Sequence, residues 1–159
     1  MAIRDWIQAS RLRTLPLAAS CVLVGAAIGF PIAQRSEMLS AQFWPVFLSI
    51  LLTVVLLQVL SNWANDLGDF ENGADDFSRQ DRSVASGRIS PEAMKKAVVV
   101  LALIAFASGL VALFLAFFAA DLLVPALVLL VLGVASIAAA FRYTAGKSPY
   151  GYKGYGAVM

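Results

Sequence analysis

Residues Gln58 to Asp76 read QVLSNWANDLGDFENGADD, and the fold turns on how this stretch is placed. An apolar run of roughly 15 residues leads into it and then gives way to amides and acids: Asn62, Asn65, Asp66, Asp69, Asp75 and Asp76. Carboxylates packed this densely at the end of a membrane-length segment repel one another, and a cation has to offset them.

The surrounding composition explains the apolar run. The 159 residues are 60% hydrophobic and only 14% charged, with mean hydropathy +0.81. Soluble domains carry about 25% charged residues, so the chain reads as an all-α integral membrane protein. Four apolar segments, at about 15–33, 43–61, 97–120 and 122–141, are each near the length that crosses a bilayer. A loop at about 62–96 separates the second from the third. Pro16 and Pro125 fall in first helical turns, where the missing N–H costs nothing. Gly25 and Gly29 form a G-x-x-x-G spacing that suggests close helix packing. Ser90-Pro91-Glu92 reads as an N-cap with proline at the first position of the third helix.

Eleven of the twelve basic residues lie in the lead-in 1–14, the long loop and the tail; Arg35 alone lies between the first two helices. By the positive-inside rule the N-terminus, the acid-rich loop and the tail face the cytoplasm. The lead-in, MAIRDWIQASRLRT, is short and amphipathic, and no A-x-A site follows the first apolar run to mark a cleaved signal. The basic residues form no nucleic-acid stripe.

With no histidine and one cysteine, Cys21 inside an apolar run, the composition excludes a disulfide framework, a Cys/His zinc site and a Ser-His or Cys-His nucleophile. Carboxylate, amide, arginine, lysine and tyrosine remain. If the second helix continues through the cluster, Gln58, Asn62, Asn65, Asp66 and Asp69 share one face, and Asp66 and Asp69 are i, i+3 neighbours. Gly73 would end the helix and let Asp75 fold back. Oxygen ligands of this kind suit Mg²⁺, which is commonly held by carboxylates together with substrate phosphates. Arg79, Arg82, Arg88, Lys147 and Lys153 are candidates for the remaining phosphate charge. The plainer readings are a solvated loop for the acids (Asp76 and Asp81 above all), headgroup contacts for the arginines and interfacial anchoring for the tail tyrosines.

Taken together, the motifs resemble the UbiA-type intramembrane prenyltransferases, in their 1,4-dihydroxy-2-naphthoate polyprenyltransferase branch. The form N-x-x-N-D-x-x-D-x-x-x-G-x-D is matched by Asn62, Asn65, Asp66, Asp69, Gly73 and Asp75. RLRTLPLA at 11–18, RSVASGRIS at 82–90 and YTAGKSPYGYKGYG at 143–156 resemble further segments of that branch, in order along nearly the whole chain.

The resemblance implies the N-terminal half of a bundle of about nine helices. It implies transfer of a polyprenyl group from its diphosphate to 1,4-dihydroxy-2-naphthoate, with loss of CO₂, to give demethylmenaquinone. By carry-over, Asn65, Asp66, Asp69 and Asp75 are the metal positions, and Asn62, Asn65, Arg82 and Lys147 the diphosphate positions. Asp66, Asp69 and Tyr143 are the catalytic ones. The family's second acid-rich motif is not in these residues, so the expectation is a C-terminal half elsewhere and no catalysis by this stretch alone. Two other classes remain at the level of sequence. One is an ion-binding transporter, which calls for acids in mid-helix. The other is a non-catalytic membrane module for a lipid diphosphate or a partner subunit; within the enzyme class, the alternative is a prenyltransferase acting on another aromatic acceptor.

Overall fold

A computed structural model describes residues 2–35, 37–75, 81–117 and 122–144, and all regular structure among them is helical. A short helix α1 (Ile3–Ala9) and a 3₁₀ turn at Leu12–Thr14 lead into α2 (Leu15–Ala33). The long helices α3 (Glu37–Glu71), α4 (Pro91–Phe117) and α5 (Leu123–Thr144) follow. The stretches Ile3–Ala33, Ser40–Glu71 and Pro91–Phe117 are long and apolar enough to cross a membrane, and α5 contributes a shorter apolar section, Leu123–Ala139. The chain is an all-α integral membrane protein.

The second long helix extends past the 43–61 read from hydropathy at both ends. Its 35 residues rise about 52 Å, against a hydrocarbon core of about 30 Å. Hydropathy reports where the bilayer stops, whereas the helix goes on for as long as its polar side chains find partners. α3 stops at a backbone motif. The N–H of Ala74 donates to the carbonyl of Asp69 at 2.8 Å and that of Gly73 to Phe70 at 3.1 Å, with Gly73 at φ +69°. This is a Schellman closure, and the left-handed residue it needs is cheapest as glycine. Ser90 caps α4 by accepting the Ala93 N–H on its hydroxyl at 3.2 Å.

α3 is the central helix, packed against α2, α4 and α5. Inside the bilayer its packing is light. The hydroxyls of Thr53 and Ser108 lie 2.8 Å apart across α3 and α4, and Gly109 sits against the Thr53 methyl. Apolar grooves remain open between the helices. One of about 580 Å³ is bordered by Cys21, Gly25, Gly29, Phe43 and Phe47. Another of about 430 Å³ runs among α3, α4 and α5. The Gly25–Gly29 spacing, read as a close-packing site, opens onto the first groove, and among the described residues no atom would touch a Cβ at either position.

The dense core lies at the other end of α3. Leu60, Ala64, Leu67, Val84, Ile89, Met94, Val98 and Leu101 bury one another, with Ala9 added from α1. Ile89 and Met94 are completely enclosed. This core clamps residues 81–90 over the polar end of α3.

Candidate functional site

The polar face of α3 is covered on two sides, by the lead-in and by the loop at 81–90. The lead-in is stitched on by α3 amides. Asn62 donates both amide hydrogens, to the Ser10 carbonyl at 2.9 Å and to the Thr14 hydroxyl at 3.0 Å. Gln58 donates to the same hydroxyl at 3.4 Å, and the Thr14 hydroxyl in turn donates a hydrogen bond to the Arg11 carbonyl. The Trp63 indole donates to the Ser10 hydroxyl, and its ring packs on Trp6 with centroids 5.0 Å apart. Asn62 is buried, and its donors hold the wall of the site.

On the other side stands Arg82. Its guanidinium lies 2.9 Å from Asp69 and 2.9 Å from Asp75, and donates to the Asn65 side-chain oxygen at 3.2 Å. Asp69 and Asp75 are both buried. The helix closure brings them together, because the Asp75 N–H folds back onto the Asp69 carbonyl. A guanidinium is the cation best suited to such a place, since its planar fork meets two carboxylates at once.

Asp66 is different. It is 2% exposed. One carboxylate oxygen accepts the Ser83 backbone N–H at 3.1 Å. The other, Oδ1, is shielded from solvent and has no hydrogen-bond partner. A buried acceptor left unmatched costs about 1–3 kcal/mol, more when charged, and so marks a place where a ligand is missing.

The sequence reasoning missed Arg11. It leaves α1 in the left-handed region (φ 46°), and its guanidinium donates to the Asn65 oxygen at 3.3 Å. Asn65 thus receives two arginines, one from each flank. The RLRTLPLA match was the signal available, but nothing in it shows which arginine turns inward. Ser83 was likewise invisible as a ligand, since it acts through its backbone N–H.

Asn62, Asn65, Asp66, Asp69, Asp75 and Arg82 therefore stand in one assembly. Arg88 is half-buried nearby in sequence, with Nε and one Nη shielded and unbonded. Tyr143 lies in the last turn of α5, but its side chain lies outside the described residues, as do Asp76, Arg79, Lys147 and Lys153.

The donor set fits a hard, oxygen-seeking cation: three buried carboxylates, an amide oxygen and one carboxylate oxygen without a partner. Among the described residues no three acids are gathered at metal-binding spacing; Arg82 occupies the place between Asp69 and Asp75.

Comparison with known proteins gives a consistent result. Residues 20–158 match the UbiA prenyltransferase family. The chain is 36% identical over 159 residues to a 1,4-dihydroxy-2-naphthoate octaprenyltransferase of Haemophilus influenzae, covering 98% of this chain and 49% of that one. It is 37% identical over 156 residues to the Escherichia coli protein of the same name, covering 96% and 47%. For the Mycobacterium leprae protein of that name the identity is 32% over 155 residues, covering 97% and 47%. The chain spans about half the length of the curated relatives it matches. No solved structure matches it.

Proposed function

The chain belongs to the UbiA prenyltransferase family, and from that premise we propose that its acid-rich face serves polyprenyl transfer to 1,4-dihydroxy-2-naphthoate in menaquinone biosynthesis. The relatives' names support the substrates. The positive-inside distribution of basic residues supports a cytoplasmic position for the site.

The observation that carries this reading is the shielded, partnerless Oδ1 of Asp66 beside the Asn65–Arg82–Asp69 network. Asp66, Asp69 and Asp75, with the Asn65 oxygen, are the residues that would hold the cation, taken as Mg²⁺. Bound there, it would neutralise diphosphate charge and ease departure of that group.

Arg82, freed from Asp69 and Asp75, turns to the phosphate oxygens, with Lys147 and Tyr143 as further contacts. Asn62 keeps the lead-in in place so that the site is preorganised. The prenyl C–O bond breaks with its electron pair leaving on the diphosphate. The electron-rich ring then forms the new C–C bond, and the carboxylate departs as CO₂ with its bonding pair returned to the ring. The product is demethylmenaquinone in its quinol state. No protein nucleophile is needed, which agrees with Cys21 lying exposed on α2, away from the polar head.

The test uses membranes from cells expressing the gene that encodes this chain. They should release labelled CO₂ from carboxyl-labelled 1,4-dihydroxy-2-naphthoate only when polyprenyl diphosphate and Mg²⁺ are both supplied. Asp66→Asn should lower that rate about 100-fold or more. Near-normal turnover in Asp66→Asn would remove Asp66 from the site.

A further inference from the structure

We propose that Arg11 is a substrate-binding residue. On this reading its guanidinium, seated on Asn65 opposite Arg82, receives an oxyanion of substrate, either a phosphate of the prenyl donor or the carboxylate of the aromatic acceptor. The proposal rests on the function proposed above and assigns one more of the site's ligands.

Three independent observations converge on it. The first is placement. Arg11 reaches across 54 positions of sequence to the Asn65 oxygen, which also accepts from Arg82. Two guanidinium groups on one neutral oxygen repel each other; Asp69 and Asp75 offset Arg82, Asp66 attracts Arg11, and a further oxyanion on the open side of Arg11 would add to that balance.

The second is chemistry in reserve. Arg82 is already matched to Asp69 and Asp75. Among the described residues Arg11 makes one side-chain hydrogen bond, a long one at 3.3 Å, and the Asp66 carboxylate attracts it without a direct ion pair. It is half-buried, so the rest of its fork is available at the rim of the site and is not lost in bulk water. A guanidinium stays charged at any relevant pH and recognises carboxylate and phosphate edge-on with two donors.

The third is backbone geometry. Arg11 is the only non-glycine with positive φ among the described residues. Glycine or asparagine is the ordinary occupant of that conformation. The surrounding contacts hold the strain in place: Ser10 and Thr14, on either side, are gripped by Asn62, Trp63 and Gln58. A strained backbone held by its neighbours, at a charged side chain turned into a site, is the pattern expected of a binding residue.

The experiment uses the protein in lipid nanodiscs with Mg²⁺ present, and measures binding of two probes, inorganic diphosphate and 1,4-dihydroxy-2-naphthoate. Three variants are compared with the wild type: Arg11→Gln, Arg11→Lys and Arg11→Gly. Arg11→Gln should weaken one probe at least about tenfold, the scale of one charge-assisted hydrogen bond. Loss confined to diphosphate assigns the donor's phosphate, and loss confined to the naphthoate assigns the acceptor's carboxylate. Arg11→Lys should recover part of the loss, since it restores charge without the fork.

Arg11→Gly separates binding from folding. Glycine relieves the left-handed strain, so this variant should melt at or above the wild-type temperature while binding as poorly as Arg11→Gln. If both Arg11→Gln and Arg11→Gly bind the two probes as the wild type does, the assignment is overturned. It is overturned equally if Arg11→Gly melts well below the wild type, since Arg11 is then a structural tie. A wild type that binds neither probe overturns the proposed function itself.

Discussion

The bilayer section of the helices and the head at the far end of α3 are built on opposite terms. In the bilayer section Leu23, Ile28, Leu48, Leu103 and Val131 turn outward, each more than half exposed. The contacts within the bundle there include a hydroxyl pair, a glycine against a methyl and an aromatic cluster of Phe30, Phe43, Trp44 and Phe47, with apolar grooves left open between the helices. In the head, Val84, Ile89 and Met94 are sealed, and polar side chains such as Asn62 and one oxygen of Asp66 find partners across the lead-in, α3 and the loop. The reason is the solvent. Lipid tails are as apolar as leucine, so burying leucine inside the bundle yields no hydrophobic gain, and helix association there depends on packing and polar contacts. The head lies where water can reach, so apolar burial drives its folding at about 25 cal/mol per Å². The site sits on the part of the chain that folds like a piece of a soluble domain. Its rigidity comes from there.

If that contrast holds, the largest effect should come from cutting the head core. Met94→Ala removes an enclosed side chain and should cost about 2–5 kcal/mol, read as a lowered unfolding midpoint in mixed micelles. The matched control is Leu103→Ala. Leu103 is 65% exposed on the neighbouring stretch of the same helix, and its truncation should stay within about 0.5 kcal/mol. Equal losses from the two would break the comparison.

A smaller effect is expected from the seam between lead-in and α3. Asn62→Ala removes two hydrogen bonds and leaves the Ser10 carbonyl without the donor it has now. The expected cost is about 1–3 kcal/mol. Hydrogen exchange should rise first at residues 9–14 and leave the bilayer section unchanged. Uniform loosening of the whole chain would show that the head is not a separate cooperative unit.

Much of the head could be read from the sequence. Helical spacing alone puts Asn62, Asn65, Asp66 and Asp69 on one face, and Gly73 marks the turn that returns Asp75 to Asp69. Local periodicity and local turn chemistry carry that information. The inward turn of Arg11 was not legible, because it depends on one backbone angle and on contacts made 54 residues away. Nor was the place of Arg82. Read as a phosphate ligand, it stands between Asp69 and Asp75, since a charge will pair with the nearest buried opposite charge when its other partner is not bound. Hydropathy alone ended the second helix near 61, whereas the polar spacing and Gly73 pointed to its continuation, and α3 runs to Glu71; apolar content marks the membrane and not the helix.

The smallest effect expected belongs to the bilayer section. Thr53 and Ser108 link α3 and α4 there, with hydroxyls 2.8 Å apart. In water-soluble cores an unmatched hydroxyl would be costly. Here Thr53 retains the Ser49 carbonyl of its own helix at 2.8 Å, and Ser108 has its own helix carbonyls in reach of a hydroxyl rotor. Ser108→Ala should therefore cost only about 0.6 kcal/mol, well below Asn62→Ala although each removes an inter-segment contact. A loss as large as that of Asn62→Ala, measured by the same unfolding midpoint, would mean that the bilayer section is held by polar links and not by shape, and the line drawn between the two regions would have to move down α3 into the membrane.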